Sequence, residues 1–244
     1  MSIIGIIPAR YASTRFPGKP LALIHQKPMI QWVYEQAKKA PLDKVVVATD
    51  DERIEKIVHA FGGEAVMTSP NHPSGTDRCG EAAKLLNLKN EDIIVNIQGD
   101  EPFIRKEEIE TLIQQFDNQK VNIATLIKKI DTQKEDIGNS NMVKVIFSKS
   151  KKAIYFSRFP IPYVRSQQET EVSHYKHIGI YAYRYETLKK LIDLPKSELE
   201  IAESLEQLRW LENDFSIFVA ECFYESIAID TPEDLMKIKN YNFF

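Results

Sequence analysis

The sequence predicts an α/β protein built on a doubly wound, mainly parallel sheet, and three observations carry that prediction. Strand-like runs and helix-like periods alternate through the first half of the 244 residues. The runs at 3–7, 44–47 and 93–97 are apolar at nearly every position, the pattern of strands covered on both faces. Polar and charged clusters follow directly on these runs, and open α/β sheets bind ligands at the carboxyl ends of their strands, where strand order reverses.

The elements follow in order. An apolar strand at 3–7 leads into a basic loop. PMIQWVYEQAKKA (28–40) reads as a helix, with Pro28 suited to a first turn and Ile30, Val33 and Ala37 at helical spacing. KVVVAT (44–49) is a strand, DERIEKIVHAFG (51–62) a helix ending at glycine, and EAVMT (64–68) a strand. The polar loop SPNHPSGTDR precedes a helix running to about residue 86, then DIIVNI (92–97) is a strand and RKEEIETLIQQF (105–116) a helix. From about residue 121 the rhythm changes: NIATLIKKI, MVKVIFS and KKAIYFS read as strands with little helix between them. RSQQETEVS (165–173) reads as a surface loop and HYKHIGIYAYR (174–184) as a long alternating strand. SELEIAESLEQLRWLEN (197–213) opens with a capping box, Ser197 and Glu200. FSIFVAEC and ESIAID are strands, and TPEDLMKIKNY is a last helix with Thr231 as cap, Pro232 first and Asp234 closing the box. No repeat or linker interrupts the chain, so a single domain over 1–244 is expected, with an inserted lobe at about 150–215.

Bulk properties narrow the function classes. Apolar residues at 43% and charged residues at 27% are ordinary for a protein with a sizeable core. Thirty-two Lys and Arg stand against 35 Asp and Glu, a net charge of −3, which argues against a general nucleic-acid or membrane-surface binder. Two cysteines, Cys79 and Cys222, cannot build a disulfide framework and fit a reducing cytosol. MSIIGIIPAR lacks the basic region of a signal peptide, and no run approaches the ~20 apolar residues of a membrane span, so a cytoplasmic protein is expected.

Against that background the loop after the first strand, in GIIPARYASTRFPGKP (5–20), is a local concentration of cations: Arg10, Arg15 and Lys19. It is not a Walker A loop, because Ser13 and Pro20 stand where that motif needs glycine and Ser or Thr, and no G-x-G-x-x-G is present. Guanidiniums grip phosphate oxygens in pairs and an ammonium acts as a compact point charge, so the set suits a triphosphate; the alternative is a solvated basic loop. Asp100, in NIQGDEP (96–102), follows a buried strand, and Asp230, in ESIAIDTPEDL (225–235), lies between a strand and a capped helix. Two carboxylates on one edge facing a polyphosphate suit Mg²⁺; a turn residue and a helix cap are the alternatives. Asp50 and Asp51 read as helix-start residues. On the strand at 174–184, His177, Gly179, Tyr181 and Tyr183 share one face, which is either a sugar-pocket wall or a half-exposed sheet face. His174 and His177, three apart on a strand, point to opposite faces and make a poor metal pair.

The ordered set IPARYASTRFPGKPL, VATDD, HPSGTDR, NIQGDEP, NMVKVIFS, IYFSR, HIGIYAYR, LEQLRWL and IDTPEDL resembles the 3-deoxy-manno-octulosonate cytidylyltransferase (CMP-Kdo synthetase) family, from Ile3 to the last helix. The first motif alone marks sugar cytidylyltransferases generally, including CMP-sialate synthetases. The resemblance implies a fold of nucleotide-diphospho-sugar transferase type with a dimerisation lobe, a homodimer, Mg²⁺, and CTP and 3-deoxy-D-manno-octulosonate (Kdo) as substrates, for lipopolysaccharide biosynthesis. It implies a triphosphate cradle of Arg10, Arg15 and Lys19, with Ser74, Gly75, Thr76 and Arg78 around the base. Gln98 and Asp100 match its QGDEP motif, with Asp100 and Asp230 as metal ligands. Arg158, His177, Tyr181, Glu206 and Gln207 resemble its sugar-acid pocket. The strand before Asp230 departs from the family by carrying Glu225 to Ile229 where glycines are common. The expected reaction is in-line attack of the sugar's anomeric hydroxyl on the α-phosphate of CTP, with Lys19 neutralising the growing charge and Arg158 pairing with the sugar carboxylate. A related sugar acid (sialic acid or 8-amino-Kdo) and a non-catalytic nucleotide-sugar-binding protein are the competing expectations. A nicotinamide-dependent dehydrogenase is disfavoured by the missing glycine fingerprint.

Overall fold

The computed structural model describes residues 1–12, 16–165, 172–224, 229 and 231–238. In chain order the elements are β1 (Ile3–Ala9), a 3-10 turn (Lys19–Leu21), β2 (Leu23–Ile24), β3 (Lys27–Pro28), α1 (Met29–Ala37), β4 (Lys44–Thr49), α2 (Glu52–Ala60), β5 (Ala65–Met67), α3 (Gly75–Leu85), β6 (Ile93–Asn96) and α4 (Lys106–Gln114). Then come β7 (Ile123–Lys129), β8 (Lys144–Phe147), β9 (Ala153–Ser157), β10 (Tyr175–Arg184), α5 (Tyr185–Ile192), α6 (Glu198–Glu203), α7 (Glu206–Glu212), β11 (Ile217–Glu221) and α8 (Pro232–Ile238). They pack as two compact units: Met1–Glu110 with Ala182–Ile192 and Glu225–Phe244, and Thr111–Tyr181 with Asp193–Tyr224. The second unit takes in the segment of the expected lobe except Ala182–Ile192, which belongs to the first unit, and it reaches back to Thr111.

In the first unit the strands lie in the order β6-β1-β4-β5, all parallel. The chain steps outward from β1 to β4 to β5, then returns to the other side of β1 with β6. Strand order therefore reverses between β1 and β6, the place where open sheets form a ligand crevice. The register sets Gly5 beside Val45 on one side and Val95 on the other. Ile6, Ile7, Val46, Val47, Ile94 and Val95 are fully buried, which is why these strands read as continuous apolar runs. Ile24, Met29, Phe103, Ile229 and Ile238 form a separate apolar cluster beneath the connecting loops.

Helix starts follow the sequence signals. The Asp51 carboxylate accepts from the Arg53 N–H at 2.9 Å and caps α2. Thr231 and Asp234 close the expected box at α8, with the Asp234 N–H on Thr231 Oγ1 at 3.2 Å and the Thr231 N–H on Asp234 Oδ2 at 3.1 Å. Pro28 sits just outside α1, as its cap residue, and not within its first turn. The segment 197–213 opens with its capping box but divides into α6 and α7, because Ser204 takes a left-handed conformation (φ 52°) and Leu205 is extended. Helix α5 follows β10 with no turn residue between them, so nothing in the local sequence announces it; its Tyr185, Leu188 and Leu191 are buried at helical spacing. Most of the surface loop read at 165–173 and of the strand read at 225–230 lies outside the described residues.

In the second unit β11 runs parallel to β7, from Ile217 beside Ile123 to Glu221 beside Ile127. Strand β7 neighbours β10, and β8 runs antiparallel to both β10 and β9. Among the described residues no helix is long and apolar enough to cross a membrane.

The turn that carries Lys19 depends on Gly18. It adopts φ 71° and ψ 13°, its N–H donates to the Tyr11 carbonyl at 2.9 Å, and a Cβ there would stand 3.1 Å from the Tyr11 ring. That ring is held by the Arg53 guanidinium, 3.4 Å from its centroid. Gly18→Ala should lower unfolding free energy by about 1–2 kcal/mol, the cost of a left-handed non-glycine residue. An unchanged midpoint in urea denaturation would contradict this account of the turn.

Candidate active site

The carboxyl ends of β1 and β6 and the amino end of α3 surround a cavity of about 230 Å³ in the first unit. Its wall brings together Arg10, Lys19, Ser74, Gly75, Arg78, Gln98 and Asp100 of the residues expected on the nucleotide side, whereas Thr76 is buried in α3 and does not line it. Arg15 and Asp230 lie outside the described residues. Close approach of the two loops requires Gly99: a Cβ there would meet the Pro8 carbonyl oxygen at 3.0 Å. The backbone of Asp100 is fixed in turn, since its carbonyl accepts from the Ile229 N–H at 2.9 Å.

Charge in the cavity is arranged in opposed pairs. Lys19 Nζ lies 2.7 Å from Asp100 Oδ2, both largely shielded from solvent. Arg78 is buried, with Nη1 donating to Thr68 Oγ1 at 2.6 Å and Nη2 at 3.1 Å from Asp50 Oδ1. Asp50 is therefore no helix-start residue; it neutralises the buried arginine, and Asp51 alone caps α2. Ser74 caps α3, its hydroxyl accepting from the Asp77 N–H at 3.2 Å and donating to Asp77 Oδ2 at 2.5 Å. The Gln98 amide donates to Asn96 Oδ1 at 3.1 Å. Asp100 occupies a turn and also lines the cavity, so the turn reading and the ligand reading are compatible.

His72 also lines this cavity, and the sequence reading missed it. Its Nε2 is hydrogen-bonded to Glu81 Oε2, which also accepts from the Ser69 N–H at 2.7 Å. Burial works against the Glu81 charge, but the bonds from His72 and Ser69 outweigh it and hold that carboxyl below its usual range. The available signal was spacing: Asp77 and Glu81 stand four apart on α3, and one turns back to the cap while the other turns to the histidine. Among the described residues no three His, Cys, Asp or Glu side chains cluster as a metal cage. A hard carboxylate beside a cationic cavity instead fits Mg²⁺, which takes one or two carboxylates and shares the rest of its shell with phosphate and water.

The residues expected on the sugar side all fall in the second unit. His177 and Tyr181 lie together, ring centroids 5.3 Å apart, with Phe156 edge-on to His177 and Trp210 of α7 edge-on to Tyr181. The face they share is half-exposed at one end and buried at the other: Gly179 is exposed and His177 half-buried, whereas Tyr181 and Tyr183 are buried. Thr125 Oγ1 is 3.0 Å from His177 Nε2 and 2.8 Å from the Ile180 carbonyl. A hydroxyl has one proton, and that carbonyl can only accept it, so Nε2 of the histidine donates and Nδ1 is left as an acceptor. Burial pushes the His177 pKa down to about 3 and the Tyr181 pKa well up, so both stay neutral near pH 7. Glu206 pairs with Arg209 at 2.9 Å. Gln207 is buried, and its Nε2 has no hydrogen-bond partner among the described residues. Arg158 donates from Nε to the Glu203 carbonyl at 2.7 Å, from Nη1 to Ser140 at 2.9 Å and from Nη2 to Ser204 at 3.3 Å.

Residues 4–227 match the cytidylyltransferase family model. The 3-deoxy-manno-octulosonate cytidylyltransferase of Parabacteroides distasonis is 57% identical over 244 residues, covering 97% of this chain and 96% of that one. The chain belongs to the 3-deoxy-manno-octulosonate cytidylyltransferase family. The structure of CMP:2-keto-3-deoxy-manno-octonic acid synthetase complexed with CTP superposes with a TM-score of 0.91 at 43% identity, covering 98% of this chain and 97% of that one. A putative glucose-1-phosphate thymidylyltransferase from Bacillus anthracis, 19% identical with a TM-score of 0.66 over 100% of this chain and 98% of that one, shares the fold alone. The cytidylyltransferase reading of the first loop and of the NIQGDEP turn thus rests on family membership as well as on residue chemistry.

The depressed His177 pKa has a signed consequence for stability. Between pH 6.5 and about 3 the unfolded chain takes up a proton that the folded ring refuses, so stability falls as pH drops through that window. The slope from this group reaches about 1.4 kcal/mol per pH unit. In His177→Gln that contribution vanishes. The difference in unfolding free energy between variant and wild type should be flat above pH 7.5 and drift in the variant's favour towards pH 5. Parallel curves over that range would show that the folded ring accepts the proton.

Proposed function

We propose that this protein is a 3-deoxy-manno-octulosonate cytidylyltransferase that joins CMP from CTP to Kdo and releases pyrophosphate. The carrying observation is the cavity at the β1/β6 reversal, where cationic side chains and a carboxylate face one another in a family member that aligns over nearly its whole length with a CTP-bound synthetase. Arg10 and Lys19, with Arg15, grip the triphosphate. Lys19, already held at the Asp100 carboxylate, is placed to neutralise charge growing on the α-phosphate and the leaving oxygen. Asp100 and Asp230 would hold Mg²⁺. Two observations support the second ligand: Ile229, its neighbour in sequence, donates to the Asp100 carbonyl, and Thr231 already caps α8, which frees Asp230 from that task. The ion, when bound, supplies neutralisation of phosphate charge and a lower pKa for the attacking hydroxyl. No side chain needs to act as nucleophile, and positioning carries most of the rate.

On the sugar side, the Nδ1 lone pair of His177 suits a sugar hydroxyl donor, and the Gln207 amide suits an acceptor oxygen. The three backbone bonds of Arg158 use three of its five N–H groups. One hydrogen remains on each terminal nitrogen, the pair that a carboxylate takes end-on. The 2-keto acid carboxylate of Kdo is that partner.

Exposed Ile154, Phe159, Tyr163 and Ile201 in the second unit support a homodimer, and light scattering should return twice the chain mass. Cys79 and Cys222, both buried, suit a cytoplasmic setting. The deciding assay is incubation with CTP, Mg²⁺ and Kdo, read by pyrophosphate release and by mass detection of CMP-Kdo. Wild type should turn over, and Asp100→Asn should lose about a hundredfold or more in kcat with its circular dichroism unchanged. Wild-type-like turnover of the variant at saturating Mg²⁺ removes Asp100 from the metal site. No product from wild type removes the function.

A further inference from the structure

Lys144, the first residue of β8, is fully buried, and the reaction makes no direct use of it. Burial lowers its pKa against the pull of Glu203 and Asp136. Its ammonium donates to the Asn139 carbonyl at 3.0 Å, the Met142 carbonyl at 2.7 Å and the Arg158 carbonyl. An ammonium has three donors, and all three meet a backbone oxygen. A neutral amine would carry a lone pair and strand one of those carbonyls, so the cage itself selects the charged form.

The three carbonyls are not scattered. Two belong to the loop 139–142, and the third is the main chain of Arg158. The Arg158 side chain returns to the same loop through Ser140, and reaches forward to the Glu203 and Ser204 carbonyls where α6 ends. The Glu203 carboxylate answers by accepting from the Arg158 N–H at 2.9 Å and the Ser157 hydroxyl at 2.6 Å. Helix α7, with Glu206 and Gln207 in its first turn, starts directly after this knot. Both the main chain and the side chain of Arg158 are thereby held, the first by Lys144 and the second by α6 and the loop.

We propose that Lys144 is a positioning residue for sugar-acid binding, acting through Arg158. It fixes the backbone from which the guanidinium reaches, and so fixes the direction of the two N–H groups offered to the substrate carboxylate. The inference rests on the function proposed above, and the experiment separates the two. Steady-state pyrophosphate release is measured with CTP, Mg²⁺ and varied Kdo for wild type, Lys144→Met, Lys144→Gln, Arg158→Ala and the Lys144→Gln/Arg158→Ala double variant. Lys144→Gln retains two donors without charge, and it decides the question should the methionine variant fail to fold. The expected result is a KM for Kdo raised about tenfold, the scale of one lost charge-assisted hydrogen bond, with the KM for CTP within about twofold of wild type. In the Arg158→Ala background, Lys144→Gln should add almost nothing, because its route of action is already gone. A KM for Kdo unchanged by Lys144→Gln overturns the proposal. So do proportional rises in both KM values, which mark general loosening, or effects that multiply in the double variant. Absence of turnover in wild type overturns the function and the proposal together, whereas turnover with an unshifted KM for Kdo overturns only the role of Lys144.

Discussion

Gly5 of β1 stands in register with Val95 of β6, and the two strands run parallel to carboxyl ends that leave the sheet side by side. From that pairing the chain must send one loop from each strand over the same edge. The first loop carries cations and the second a carboxylate, so the register of two buried apolar strands decides that Lys19 meets Asp100 at 2.7 Å. Each loop adds an apolar anchor of its own, Phe16 in the first and Phe103 in the second, on the cluster with Ile24 and Met29. The hydrophobic sheet supplies the rigidity, and the loops supply the chemistry.

Electrostatics explains why the cavity is tolerable in the folded protein. A fully buried guanidinium with no partner is among the most costly features a fold can contain. Arg78 avoids this through Asp50 and the Thr68 hydroxyl, and Lys19 through Asp100. The pairs hold the cations in place without cancelling their use. On the proposed function, an arriving polyphosphate would meet cations whose side-chain entropy is already spent and whose direction is set. The second unit meets the same problem differently: Lys144 is neutralised by carbonyl dipoles and Arg158 by backbone oxygens, so orientation there is bound into the main chain itself.

Much of this was legible in the sequence because it is local. The strands at 44–49 and 3–7, the cap at Thr231 and the capping box at Ser197 follow from neighbours within a few residues. The cation cluster was visible as composition, and its destination followed from the rule for open sheets. What could not be read depends on contacts distant along the chain. Asp50 looked like a helix start because its partner, Arg78, lies 28 positions on. His72 looked like a polar loop residue until Glu81 was brought under it. Helix α5 was hidden because its apolar spacing continues from a strand without punctuation, and the break at Ser204 was hidden because a left-handed serine has no sequence mark. Lys144 was the least readable of all, since three carbonyls carry no residue identity.

Gly99 contributes no side chain to the cavity, yet its missing methyl sets the clearance between the two loops. With the Pro8 oxygen 3.0 Å from where a Cβ would stand, even alanine would act as a wedge driven between opposite jaws of a vice. The jaw spacing matters because attraction between Lys19 and Asp100 varies inversely with their separation. The grip of this enzyme is therefore calibrated by an empty position, and its tolerance is narrower than any inventory of contacting atoms would suggest.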